Sequence, residues 1–112
     1  MEYSTNNGAA WTNVSTLPEF INSYNQTLYN DSDPTKRNPL ANQNAFAGIS
    51  NGYISSRLDL TPLANQSVRF RFRIGTDSSG GYYGWFVDDA QIYTCKDLSA
   101  LTVRVYMPVA RK

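Results

Sequence analysis

Histidine is absent from the 112-residue chain, and cysteine occurs once, at Cys95. Without an imidazole this sequence holds no Ser-His-Asp or Cys-His relay and no His-Glu-x-x-His zinc site. A lone cysteine builds no internal disulfide framework; it reads as a small, partly buried apolar residue or as the partner of a thiol on another polypeptide. An excess of one charge is also missing. Ten basic residues against nine acids leave a net charge of +1, far from the concentrated basic surplus of a nucleic-acid binder. No run of about 18 apolar residues exists, so no membrane-spanning helix is predicted, and no secretory leader is recognisable. A glycine-rich phosphate loop is absent too.

What remains is aromatic and polar. Eight Tyr, five Phe and two Trp stand among Ser, Thr, Asn and Gly, a mixture that favours short strands joined by turns. Glu2 to Thr5 and Trp11 to Val14 read as the arms of a β-hairpin about Asn6-Asn7-Gly8, since Asn and Gly accept positive φ at little cost. Leu17 to Ile21 reads as a short strand or one helical turn. Residues 22–44, rich in Asn, Asp, Ser, Thr and Pro, read as a long surface loop, of a length that is uncommon unless the loop binds something or moves. Regular structure is predicted again over Ala45 to Ile49, then, after Asn51-Gly52, over Tyr53 to Leu60.

Val68 to Ile74 alternates apolar residue and arginine without a break. A period of two puts Val68, Phe70, Phe72 and Ile74 on one face and Arg69, Arg71 and Arg73 on the other. Burying the four apolar side chains would contribute about 6–12 kcal/mol before entropy. One buried face and one wet face is the mark of an antiparallel sheet. Tyr82 to Thr94 reads as a further strand with a bulge or end at Asp88-Asp89, and Leu101 to Val109 as a final strand or connector. The fold class expected is all-β, an antiparallel two-sheet jelly-roll-like sandwich. It occupies residues 1–95, with the long loop at about 22–44, and a C-terminal strand or tail follows over 96–112.

Four constellations are candidates for function, and each has a plainer reading. Ser4-Thr5-Asn6-Asn7-Gly8-Ala9-Ala10-Trp11 resembles the Asp-box, Ser-x-Asp-x-Gly-x-x-Trp, with Asn6 in the Asp position. It is either the mark of a sugar-associated module or simply a stable hairpin, its side-chain acceptor folded onto backbone N–H groups and Trp11 packed beneath. The stripe Arg69, Arg71, Arg73 is suited to an acidic or sulfated polysaccharide, because guanidinium forks match such anions. Its plainer reading is a solvated sheet face with cross-strand partners such as Asp59 or Glu2. Asp77, Asp88 and Asp89 are candidate ligands for a structural calcium, which takes six to eight oxygens, or surface carboxylates. Adjacent Asp residues on a strand point to opposite faces, so Asp88 and Asp89 make a poor acid/base pair. Tyr82 and Tyr83, with Trp85 and Tyr53, form either a sugar-stacking platform or part of the core, and core is the expectation for Trp85.

Several blocks together resemble one family. They are Glu2 to Thr12, Ala45-Phe46-Ala47-Gly48, Tyr53 to Leu60, Val68 to Asp77 and Gly84-Trp85-Phe86-Val87-Asp88-Asp89. Together they look like the MAM-like jelly-roll domain of secreted bacterial peptidases of the immune inhibitor A type. The resemblance implies an extracellular accessory module without catalysis, of protein-binding, surface-binding or architectural duty, whose peptidase domain lies elsewhere. It also implies that Asp88 or Asp89, and more weakly Asp77, sits by a structural calcium. In the family further strands precede the segment matched by Glu2 to Ser4, so this chain corresponds to the later two-thirds of such a domain. A missing strand leaves an open edge and an uncovered apolar strip, and self-association through that edge is expected. The alternatives are an independent carbohydrate-binding module and, far behind, a small hydrolase using Asp77, Asp88 or Asp89. No nucleic-acid partner is expected.

Overall fold

A computed structural model describes residues 1–79 and 84–94. Along them run β1 (Glu2–Ser4), β2 (Thr12–Asn13), a 3-10 turn at Val14–Thr16, β3 (Gln26–Thr27), β4 (Asn44–Ala45), a second 3-10 turn at Thr61–Leu63 and β5 (Arg69–Arg71). Among the described residues there is no α-helix, and two small antiparallel sheets carry the structure: β2-β1-β5 and β3-β4. The chain is thus all-β in character.

The larger sheet is organised by β1, its central strand. On one side Glu2 pairs with Asn13 and Tyr3 with Thr12; on the other Glu2 pairs with Arg71, Tyr3 with Phe70 and Ser4 with Arg69. Because side chains alternate across a strand, Tyr3 and Phe70 share one face and Glu2 and Arg71 the opposite one. The Tyr3 face packs on the core. Val14, Leu17 and Leu63 are buried there, with Phe20, Tyr24, Leu58, Leu60, Val68 and Phe70 packed against them. The two 3-10 turns deliver Val14 and Leu63 to that core, and both depend on short polar side chains. Asn13 caps the first, its Oδ1 accepting from Ser15 N at 2.9 Å. Asp59 leads into the second, its Oδ1 accepting from Thr61 N at 2.9 Å and from Thr61 Oγ1 at 2.6 Å.

The stretch expected as a long loop has no strand over 28–43 and is closed at its base by a two-residue ladder. Gln26 pairs with Ala45 and Thr27 with Asn44. Asn25 adds a rung with its side chain: Nδ2 donates to Ala47 O at 2.8 Å and Oδ1 accepts from Ala47 N at 2.9 Å. The far end is docked beside β5. Leu40 is buried, and Asn38 Nδ2 donates to Gly75 O at 3.0 Å. A Cβ at Gly75 would stand 2.5 Å from Asn38 Oδ1 and 2.9 Å from Leu40 Cγ, so only glycine permits this approach.

Other expected strands are shorter than the alternation predicts, or missing. Tyr53 to Leu60 forms a single bridge, Arg57 with Ile21, although Leu58 and Leu60 do pack on the core. Ordered pairing after the hairpin covers Asn44–Ala45 and not Ala45 to Ile49. Val68 to Ile74 is a strand only over Arg69–Arg71. Val68 and Phe70 turn inward, but Phe72 and Ile74 are 47% and 65% exposed, because among the described residues no second layer covers that end. Residues 84–94 form no strand; Asp89 there has φ of 50°, a left-handed turn that interrupts an extended run. The final run, Leu101 to Val109, lies outside the described residues, as does Cys95.

The β1-β2 turn is held from inside by Ser4, which is buried. Its Oγ donates to Asn6 Oδ1 at 2.8 Å and accepts from Gly8 N at 2.9 Å. Asn6 Oδ1 also accepts from Ala10 N at 2.8 Å. Asn7 and Gly8 take φ of 62° and 91°, and a Cβ on Gly8 would meet the Trp11 ring at 3.4 Å. Of the Asn6 side-chain amide, the acceptor oxygen is what bonds within the turn, so a carboxylate would serve better. Asn6→Asp is expected to raise stability by about 0.5–1 kcal/mol at neutral pH, as charge-assisted bonds replace neutral ones. Asn6→Leu, which removes the acceptor, is expected to cost about 1–2 kcal/mol. Thermal melts of the two variants check this, and equal losses in both would show that the acceptor does not hold the turn.

Candidate functional site

The polar face of the β2-β1-β5 sheet gathers the first of the candidate residues. The register places Glu2 directly across from Arg71, and the next outward-facing residue along the chain, Arg73, reaches it diagonally. Arg71 Nε donates to Glu2 Oε2 at 2.5 Å and Arg73 Nη1 to Glu2 Oε1 at 3.1 Å. The Glu2 side chain is only 12% exposed. Burial would raise its carboxyl pKa, but the hydrogen bonds and charges of Arg71 and Arg73 outweigh burial and hold it below the ordinary value. The Arg71 guanidinium lies 4.2 Å from the centre of the Trp11 ring, a cation–π distance. Arg69 Nη1 donates to Asn7 O at 3.3 Å and so ties the strand to the hairpin turn.

The arginine stripe therefore has partners within the chain. Glu2 is the cross-strand partner; Asp59 is not, being engaged with Thr61. Two guanidinium groups over one carboxylate, with Arg69 alongside, leave this face cationic. Trp11 serves twice, as the floor of the turn and as the stacking surface for Arg71. Its second role is invisible in sequence, because it depends on a strand 60 positions further on.

The aromatic candidates fall elsewhere. Trp85 is 38% exposed and lies 5.6 Å from Phe72 and 6.0 Å from Phe46, between ring centres. Phe46 in turn meets Tyr24 at 5.0 Å, and Tyr24 meets Phe20 at 5.2 Å. Trp85 thus ends a chain of rings that begins at the core, rather than being core itself. Tyr53 is exposed and takes no part in that chain. Tyr82 and Tyr83 lie outside the described residues. Beside Trp85 the side chains of Phe72, Ile74 and Val87 line a shallow apolar trough, although alternation predicts Phe72 and Ile74 to be buried.

The acidic candidates are not assembled. Asp77 Oδ1 accepts from Ser79 N at 2.9 Å and Ser79 Oγ at 3.2 Å, an Asx turn. Asp88 Oδ1 accepts from Asp89 N at 2.9 Å. Among the described residues no three acidic or cysteine side chains form a group able to hold a metal ion. Comparison of the chain with protein-family models, curated proteins and solved structures finds no match.

Arg71 combines a half-buried ion pair with a stack on Trp11. Arg71→Ala is expected to cost about 1–2 kcal/mol, a few tenths to one from each interaction plus the carboxylate left behind. Arg71→Lys, which keeps the charge and loses the fork and the stack, should recover only part of this. Because the Glu2 pKa is depressed on folding, its contribution is present above the unfolded-state value and is lost as pH falls through the folded one. In pH-dependent melts the parent chain should therefore lose stability below about pH 4.5. Glu2→Gln should start from a lower midpoint at neutral pH and show a flatter acid limb.

Proposed function

We propose that the chain is a non-catalytic binding or architectural module of a secreted bacterial hydrolase. In this reading it folds as an antiparallel two-sheet, jelly-roll-like sandwich of the MAM-like kind and works outside the cell. Its task is to engage another polypeptide through the open side of β5. The observation that carries the reading is the trough of Phe72, Ile74, Trp85 and Val87 next to a strand that, among the described residues, has a neighbour on one side only. An unpaired strand edge offers a row of N–H and C=O groups, and an apolar strip beside it receives alternate side chains of an added strand. Covering the four half-exposed side chains would contribute about 1 kcal/mol each. The lack of histidine supports a module without hydrolytic machinery. The carboxylates of Asp77 and Asp88 each accept from a neighbouring backbone N–H and serve loop geometry here.

In the isolated protein the available polypeptide is a second copy. Light scattering behind size exclusion is expected to report association that grows across the micromolar range. Ile74→Lys, which puts a charge into the trough at an exposed position, should return the chain to monomer mass without unfolding it. A single monomer-mass peak for the parent chain at all concentrations overturns the reading. If such a monomer were also retained on an acidic polysaccharide in affinity electrophoresis, the cationic face of Arg69, Arg71 and Arg73 would be the working surface. The chain would then be an independent carbohydrate-binding module.

A further inference from the structure

The sequence contains two Asn-Gly steps, Asn7-Gly8 and Asn51-Gly52. Both asparagines have positive φ, 62° and 55°, and both lie exposed in turns. Asn-Gly is the dipeptide in which the following backbone nitrogen most readily reaches the asparagine side chain, because glycine has no Cβ to obstruct it. The fold treats the two steps differently. The Gly8 nitrogen donates to Ser4 Oγ at 2.9 Å, Asn7 O accepts from Arg69, and Gly8 sits against the Trp11 ring. Closing a ring at Asn7 requires this turn to open. At the second step nothing stands within 4 Å of where a Gly52 Cβ would be. Among the described residues no group accepts from the Gly52 N–H. Its carbonyl accepts from Ser50 Oγ at 2.6 Å.

We propose that Asn51 is a site of spontaneous deamidation and that the hairpin turn protects Asn7 from the same reaction. The Gly52 nitrogen attacks Asn51 Cγ, forming a C–N bond. The side-chain nitrogen leaves as ammonia, taking up the proton that the Gly52 amide gives up, and a five-membered succinimide remains. Water then opens one or other imide carbonyl, leaving aspartate or isoaspartate at position 51. The product carries a new negative charge, which cancels the net +1 of the chain. That charge lies between Ile49 and Tyr53-Ile54, all exposed apolar residues. The isoaspartate form adds a methylene to the backbone of this loop.

The test is incubation of the folded chain at mildly alkaline pH and body temperature, followed by peptide mapping with mass spectrometry and enzymatic detection of isoaspartate. Asn51 is expected to convert about ten times faster than Asn7, or more, since at Asn7 the hydrogen-bonded turn must first open. In denaturing urea the two rates should converge. Gly52→Ala should slow conversion at Asn51 while leaving Asn7 unchanged. Equal rates in the folded chain, a ratio that persists in urea, or conversion at Asn51 indifferent to Gly52→Ala would each overturn the proposal.

Discussion

The structure depends on the pairing of β1 with β5, which brings Glu2 to Arg71 across 69 positions of sequence. Closing a loop of that length costs about 4 kcal/mol in its length-dependent part alone. One partly exposed ion pair returns at most about 1 kcal/mol. The balance comes from the reverse face of the same two strands, where Tyr3 and Phe70 stand opposite each other over Val14, Leu17 and Leu63. The ion pair chooses the register, and the apolar face makes that register stable. A slip by one residue would put Phe70 beside the solvent and Arg71 into the core.

Around this sheet, side-chain amides do much of what a longer strand ladder would do. Asn6 accepts from the turn backbone, Asn13 caps a 3-10 turn, Asn25 supplies a rung between β3 and β4, and Asn38 bonds to Gly75 beside β5. Each carries on one short stem an acceptor and a donor spaced like those of a peptide group. Strands of two or three residues have few backbone bonds of their own. The chain compensates by borrowing polar side chains as extra backbone, and its asparagine content reflects that need.

Local features were legible in the sequence and distant ones were not. Asn6-Asn7-Gly8 marks the β1-β2 turn because glycine and asparagine conformations are set by their own backbone. The inward direction of Val68 and Phe70 was readable from alternation. Where β5 ends was not, since that depends on whether another layer lies over Phe72 and Ile74. Trp85-Phe86-Val87 looks like a strand by composition, yet strands need partners, and none meets it among the described residues. The pairing of Gln26-Thr27 with Asn44-Ala45 carries no apolar alternation at all, so that region reads as loop. Of the candidate site residues, the arginine stripe was visible as a pattern, and Glu2 was one of two partners its chemistry allowed. Only the register distinguishes Glu2 from Asp59.

The central position of β1 also constrains the order of events during synthesis. Its hairpin partner follows within a few residues, so β1 and β2 are able to close almost as soon as both have left the ribosome. Its second neighbour does not emerge until Arg71 does, several seconds later, on the order of 3–12 s at ordinary elongation rates. Throughout that interval the far edge of the hairpin is unsatisfied and the Tyr3 side chain lacks Phe70 beside it. A nascent chain of this design passes through a stage in which its most important strand is half paired, and any polypeptide that is extended, nearby and early has access to it.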